Sequence, residues 1–251
     1  VDDALDRILH AWREGQSHRA SLLGGRQVEH DGLVTTLTGI PASWLNPTSV
    51  VREPADPPAA IAAAEAAYPP GLGFGVDVVV DRFPGVRAAL ARSGLRCHST
   101  EWLMTLDVYA VADVAAPDGV VIGRAEDRLA EVAEVDAAAF GDPLEISRSY
   151  LAPAVFADPS FRAYAAVFEG RLVAAAETTL VAGILRVTGV AVIESVRRRG
   201  IASALTSFAV RDHGSGADVA FLEAGGEAAR LYERLGFRPV TTWEIWVRET
   251  S

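Results

Sequence analysis

The chain has 251 residues and a net charge of −10, from 33 acidic and 23 basic side chains; half of it is hydrophobic and 22% is charged. That length supports one large domain or two small ones with a sizeable core, and the acidic balance argues against general nucleic-acid binding and against adhesion to an anionic membrane surface. The single cysteine, Cys97, excludes an internal disulfide and a cysteine-built metal site.

Every basic residue is arginine, so the chain has no lysine ammonium of its own to be acylated. The five histidines are scattered without ligand spacing, and no metal is predicted. The opening segment is acidic and amphipathic, unlike a signal peptide, and no apolar run approaches a membrane span. A soluble, cytoplasmic protein is expected.

In the first half, Leu5, Ile8, Leu9 and Trp12 fall at helical spacing, and Gly15 is placed to end that helix. "QVEHDGLVTTLTGI" predicts two short strands around the turn residues Asp31 and Gly32. A proline-bracketed, alanine-rich helix follows, then the strand "FGVDVVV" and a short helix closing at Gly94. "STEWLMTLDVYAVADVA" predicts a long strand region. Turn signals in "APDGVVIG" place a domain boundary near residues 115 to 122, giving domains of 1–118 and 119–251.

The second half opens with an amphipathic helix carrying Leu129, Val132, Val135 and Phe140, then another that Pro153 bends or breaks. Three strand-like runs follow, the first two joined by a hairpin turn at Glu169 and Gly170. The next helix has Ile201, Leu205 and Phe208 lining one face and reaches Gly214 at its capping position. "ADVAFLEA" predicts a buried strand, "GEAARLYERLGF" a short helix closing at Gly236, and "VTTWEIWV" a last strand. "LARSGLRCHSTEWLMTLDV" and "YERLGFRPVTTWEIWV" echo one another, either as a duplicated fold or as chance likeness of two helix–turn–strand units.

Three arginines run into a glycine at "VRRRGIA", between a strand and a helix. The first N–H groups of a helix lack intrahelical partners and its dipole puts partial positive charge there, which suits an anion. Gly200 lets backbone approach a ligand closely, Ala202 keeps the next exposed position small, and Arg197, Arg198 and Arg199 add attraction for phosphate oxygens. A solvated basic turn is the alternative. The lysine of a P-loop and the glycines of a dinucleotide fingerprint are both missing.

The form Arg-x-x-Gly-x-Ala, with "ARLYERLGF" some forty residues on, resembles the paired acyl-CoA signatures of the GNAT superfamily of N-acyltransferases. The resemblance covers roughly residues 120 to 248 and is weak over 1 to 115. It implies an α/β (α+β) fold, a mixed and mostly antiparallel sheet flanked by helices, with two tandem GNAT-like domains, the first degenerate or accessory and shaping the acceptor pocket. It implies that the strand from Thr188 to Ile193 splays from its neighbour, with backbone at Val190, Ala191 and Val192 meeting pantetheine. The turn from Arg197 to Ala202, with Ile201 and Ser203, would wrap the pyrophosphate of acetyl-CoA. Tyr232 would protonate the leaving thiolate, the Val192 N–H would steady the oxyanion, and no metal is required. By spacing, Ala228, Leu231 and Leu235 form the buried stripe of the tyrosine's helix, with Tyr232 at its edge. Gly226 and Glu227 stand where the family has an asparagine.

Glu177, mid-strand among apolar residues, is the leading candidate general base, although a solvent-facing or structural place is also open to it. Glu194 and Glu145 are lesser candidates. The expected activity is transfer of an acetyl group from acetyl-CoA to a primary amine by direct attack, with a non-catalytic acyl-CoA-binding sensor or scaffold as the alternative. The expected partner is a small-molecule amine; nucleic acid and membrane are not expected, and a homodimer is left open.

Overall fold

The computed structural model describes residues 2–248; Val1 of the predicted opening helix and residues 249–251 lie outside the described residues. In chain order the elements are α1 (Asp2–Leu22), β1 (Arg26–His30), β2 (Leu33–Leu37), β3 (Thr48–Val50), α2 (Pro57–Ala66), β4 (Phe74–Val79), α3 (Pro84–Leu90) and β5 (Arg96–Asp107). They continue with β6 (Val120–Arg124), α4 (Leu129–Phe140), α5 (Leu144–Tyr150), α6 (Pro153–Phe156), β7 (Phe161–Phe168), β8 (Arg171–Val181) and β9 (Ile184–Val192). The last are α7 (Ile201–His213), β10 (Val219–Ala224), α8 (Gly226–Leu235) and β11 (Arg238–Arg248).

Most predicted elements stand where local pattern put them. Asp31 and Gly32, both at positive φ, close the β1–β2 hairpin, and Glu169 and Gly170 do the same for β7–β8. Pro153 breaks the helix between α5 and α6 rather than bending it. Two expectations are corrected. Gly15 is interior to α1: the helix runs on past it, with Ala20 fully buried, although a helical glycine costs roughly 1 kcal/mol. "VVIGR" forms the strand β6, paired antiparallel to β7, where the local pattern shows turn residues alone. Gly214 is the C-cap of α7, as expected; with φ −75 it leads the chain into a 3-10 turn.

The chain forms two compact units, each discontinuous in sequence: residues 1–103, 223–225 and 240–251 in one, residues 104–222 and 226–239 in the other. The first has strand order β1-β2-β3-β4-β11-β5. Trp243 to Arg248 of β11 pair antiparallel with Val79 to Phe74 of β4. Its core holds Ile8, Trp12, Leu33, Val76 and Leu90, with the Trp12 and Trp243 rings edge to face at 5.1 Å. The buried Asn46 side chain accepts from Thr38 N and donates to the carbonyls of Ile40 and Ala42, which satisfies an otherwise costly amide.

The second unit has strand order β10-β9-β8-β7-β6. β6 to β9 are antiparallel neighbours and β9 with β10 is parallel. This mixed, mostly antiparallel sheet flanked by helices is the predicted fold class. Against it α7 packs Ile201, Leu205 and Ala209, joined by Val196 from the turn before it, on Tyr164, Ala166, Val173, Ala174 and Ala176. The alanines of β7 and β8 let this helix approach the sheet closely. His213 anchors its end, bonded to Thr178 Oγ1 at 2.7 Å and to the Pro159 carbonyl at 3.2 Å.

Candidate functional site

β9 is two strands in one. Its first part pairs with β10 in three steps, ending at Arg186 opposite Phe221. From residue 187 to 192 it pairs with β8 alone among the described residues. Along that stretch the register shifts: Glu177 faces Thr188 and Ala175 faces Ala191, so Gly189 and Val190 together oppose the single residue Ala176. This is a β-bulge, and Gly189 takes the left-handed φ of +60 that a bulge of this kind requires. Val190 and Val192 turn their side chains onto the α7 cluster. The Ile193 N–H goes to the Val173 carbonyl on β8 at 3.0 Å. Successive strand N–H groups alternate in direction, so the Val192 N–H turns away from β8.

The strand runs through a short 3-10 turn, Glu194–Val196, into the arginines. Arg198 has φ +66 and Gly200 has φ +82, and these two left-handed residues curl the backbone into the start of α7. No side chain caps the helix, and its first internal bond is Ala204 N–H to the Gly200 carbonyl at 3.1 Å. The N–H groups of Ile201, Ala202 and Ser203 are therefore left without helix partners at the positive end of a 13-residue dipole. A methyl group added to Gly200 would find only Pro117 Cγ, at 4.0 Å, so the space over the turn is open. Open space, unpaired N–H groups and positive charge together fit a diphosphate.

The three arginines divide their work. Arg197 Nε donates to the Val192 carbonyl at 2.9 Å and its Nη2 to the Ala139 carbonyl at 3.3 Å, tying the end of β9 to the end of α4. Arg198 pairs with Glu227 at 2.8 Å in open solvent. Arg199 lies over the Phe168 ring at 5.4 Å. Ile201 is core through its side chain and contributes to the turn by backbone alone.

Tyr232 is buried, and the stripe of α8 is Ala229, Tyr232 and Leu235. Ala228 is exposed, so the predicted stripe is corrected by one residue and Tyr232 lies within it, not at its edge. The cause is Phe237, whose ring meets Tyr232 edge to face at 5.9 Å just past the Gly236 turn and draws that face inward. Among the described residues the Tyr232 hydroxyl makes no hydrogen bond, so none joins it to Glu177 or to the arginine turn. Burial pushes its pKa up to about 12, which makes it a weaker acid than a free tyrosine.

Glu177 is 3% exposed, which rules out its solvent-facing alternative. A Cβ at Gly189 would fall 3.0 Å from Glu177 Oε1, so the carboxylate lies against the bulge. Glu194 and Glu145 are exposed. Sequence reasoning passed over Asp136, on α4, which accepts a hydrogen bond from Ser147 Oγ at 2.8 Å. Burial, with the Glu177 and Asp142 carboxylates adding to it, pushes Asp136 up to about 6. The signal was available: Asp136 falls three and four residues after Ala133 and Val132, on the helix's apolar face. Gly189 inside a strand pattern was a second signal, of a bulge. Among the described residues no three His, Cys, Asp or Glu side chains gather as a metal-ligand set, and no helix is long and apolar enough to cross a membrane.

Residues 159–239 match the family model described as an acetyltransferase (GNAT) domain. A GCN5-related N-acetyltransferase from Kribbella flavida is similar in structure with a TM-score of 0.76 at 25% identity, over 98% of this chain and 96% of that one. A tandem GNAT protein from the clavulanic acid biosynthesis pathway is similar in fold, with a TM-score of 0.60 at 16% identity over 86% of this chain and 78% of that one. No curated protein matches the chain significantly.

Proposed function

From the premise that residues 159–239 are a GNAT domain, which supports an acyltransferase function, we propose that the protein transfers an acetyl group from acetyl-CoA to the nitrogen of a primary amine on a small molecule. We assign the chemistry to residues 119–251 and an accessory part to residues 1–118. The observation that carries the reading is the course of β9. It leaves its parallel partner after Arg186, bulges at Gly189 and enters a turn that leaves the first N–H groups of α7 uncapped.

Acetyl-CoA supplies an activated thioester. The N–H groups of Ile201, Ala202 and Ser203 hold its diphosphate, with Gly200 keeping the approach clear and Arg198 and Arg199 adding charge. Arg197 acts from behind, holding the β9 backbone at Val192. Backbone at Val190, Ala191 and Val192 lies along the pantetheine arm, and the Val192 N–H faces the negative charge that develops on the carbonyl oxygen. Glu177, beside the bulge, is the general base, and Tyr232 is the acid for the departing sulfur. The nitrogen loses two protons in all. One passes by way of the base to water, and the other replaces the proton that Tyr232 gives up. A phenol titrating near 12 is protonated throughout the neutral range, as a donor must be.

Calorimetric titration with acetyl-CoA, with NAD as control, tests the donor site. Micromolar binding, about −8 kcal/mol, is expected in the wild-type protein and at least a tenfold loss in Gly200→Val. Equal binding by both proteins would refute the assignment of the turn. Amine-dependent release of CoA then distinguishes an enzyme from a non-catalytic binder.

A further inference from the structure

The three arginines ahead of α7 are not equally free. Arg197 donates to the carbonyls of Val192 and Ala139, and Arg198 is paired with Glu227. Among the described residues Arg199 makes no hydrogen bond or ion pair; its guanidinium lies over the Phe168 ring, 5.4 Å from the centroid. Phe168 is half-buried against the cluster under α7, so the ring is a fixed support. A guanidinium held by its face keeps its N–H donors, which lie in its plane, turned outward for an anion.

Arg199 also stands on a definite side of the turn. The strands run β10-β9-β8-β7-β6, and β9 parts from β10 after Arg186, so the slot proposed for the pantetheine arm opens on the β10 side. Arg198 leans to that side, onto Glu227 of α8, the helix that follows β10. Phe168 ends β7, two strands from β9 in the other direction, opposite Val120 of β6. The segment leading into β6 closes the same rim: a Cβ added at Gly200 would lie 4.0 Å from Pro117, and one added at Gly119 would lie 3.2 Å from the Phe168 ring.

Acetyl-CoA continues beyond its thioester arm and diphosphate. Past the diphosphate comes a ribose with a 3′-phosphate, a monoester of charge roughly −1.5 to −2 near neutral pH. The N–H groups of Ile201, Ala202 and Ser203, which lack helix partners, take the diphosphate in the acyltransferase reading. With the arm leaving that point toward β10, the ribose leaves it toward β7 and β6. We propose that Arg199, steadied on Phe168, binds the 3′-phosphate of the donor and sets a preference for 3′-phosphorylated coenzyme A. This rests on the acyltransferase reading and deepens it with a specificity residue at the nucleotide end. The free fork of a guanidinium matches a terminal monoester, whose oxygens are unshared, better than a diphosphate already bonded to backbone N–H groups.

The test is calorimetric titration of the full chain with acetyl-CoA and with acetyl-3′-dephospho-CoA, for wild type, Arg199→Gln, Arg198→Gln and Phe168→Leu. Wild type should prefer the 3′-phosphorylated donor about tenfold, the size of one charge-assisted contact, and the preference should shrink as salt is added. Arg199→Gln should bind both donors as wild type binds the dephosphorylated one. Arg198→Gln should weaken both donors alike and leave the preference intact. Phe168→Leu keeps an apolar side chain on the α7 cluster but removes the ring, and should reduce the preference about threefold. Arg199 is exposed, so its replacement leaves the fold in place. Equal wild-type affinity for the two donors would overturn the proposal. So would an Arg199→Gln variant that keeps the preference, or one that loses affinity for both donors by the same factor. Donor binding without a preference sinks the role of Arg199 alone, whereas binding of neither donor sinks the acyltransferase reading and this proposal with it.

Discussion

A phenol whose hydroxyl bonds to nothing in the protein adds little to stability and is free to act as an acid, and Tyr232 is such a phenol. Its side chain is buried, and among the described residues its hydroxyl makes no bond that a phenylalanine would forfeit. Tyr232→Phe should therefore leave the protein as stable as the wild type, or up to about 1 kcal/mol more stable in urea unfolding. The same substitution should slow amine-dependent CoA release by tenfold or more at unchanged acetyl-CoA affinity, since a general acid contributes about 10²–10⁴. A large loss of stability with normal turnover would make Tyr232 a packing residue. Asp136 gives the opposite lesson, because its environment favours the neutral form. Between about pH 4 and pH 6 the folded chain keeps a proton that an ordinary carboxyl in the unfolded chain has released. Stability falls as the pH rises through that window, by about 3 kcal/mol at most when complete. Asp136→Asn should thus be more stable than the wild type at pH 8, with the gap narrowing toward pH 5. A gap independent of pH would show that the carboxyl does not titrate in this range.

At the scale of elements, the site depends on two glycines whose backbone no other residue adopts cheaply, Gly189 and Gly200. Gly189 combines φ +60 with a Cβ position 3.0 Å from Glu177 Oε1. Gly189→Ala should cost roughly 1–2 kcal/mol and push the Glu177 carboxylate off the bulge, lowering turnover more than donor affinity. Equal losses in both would place the effect in the strand as a whole. Hydrophobic periodicity made α4, α7, β7, β8 and β9 legible, as did turn chemistry at Asp31-Gly32 and Glu169-Gly170. It failed where a tertiary contact decides orientation. α8 is rotated by one residue because Tyr232 meets Phe237, and α1 runs through Gly15 because its second half is also buried. β6 was hidden because five residues ending in Gly-Arg carry too little pattern without the β7 ladder that completes them.

At the scale of the molecule, the last strand of the chain is a strand of the first unit. β11 supplies β4 with its antiparallel partner, and Trp243 packs on Trp12. A fragment of residues 1–103 lacks that strand and should show little fixed tertiary structure. Addition of a peptide of residues 238–248 in trans should restore near-ultraviolet circular dichroism from the tryptophans. A fragment folded without the peptide would mean that the β4 edge is stable unpaired. No period in the sequence announces this pairing, because strand partners so far apart are selected by edge and twist, not by local pattern.

The sequence by itself determined most of the elements, the arginine turn ahead of a helix, and the resemblance to an N-acyltransferase family, because each is written in residues a few places apart. Only the tertiary structure decided which arginine binds backbone, that Glu177 faces inward, and that Asp136 lies close enough to feel its charge. Those are properties of side chains brought together across tens of residues, where burial and field, not local propensity, set what a carboxyl or a guanidinium does.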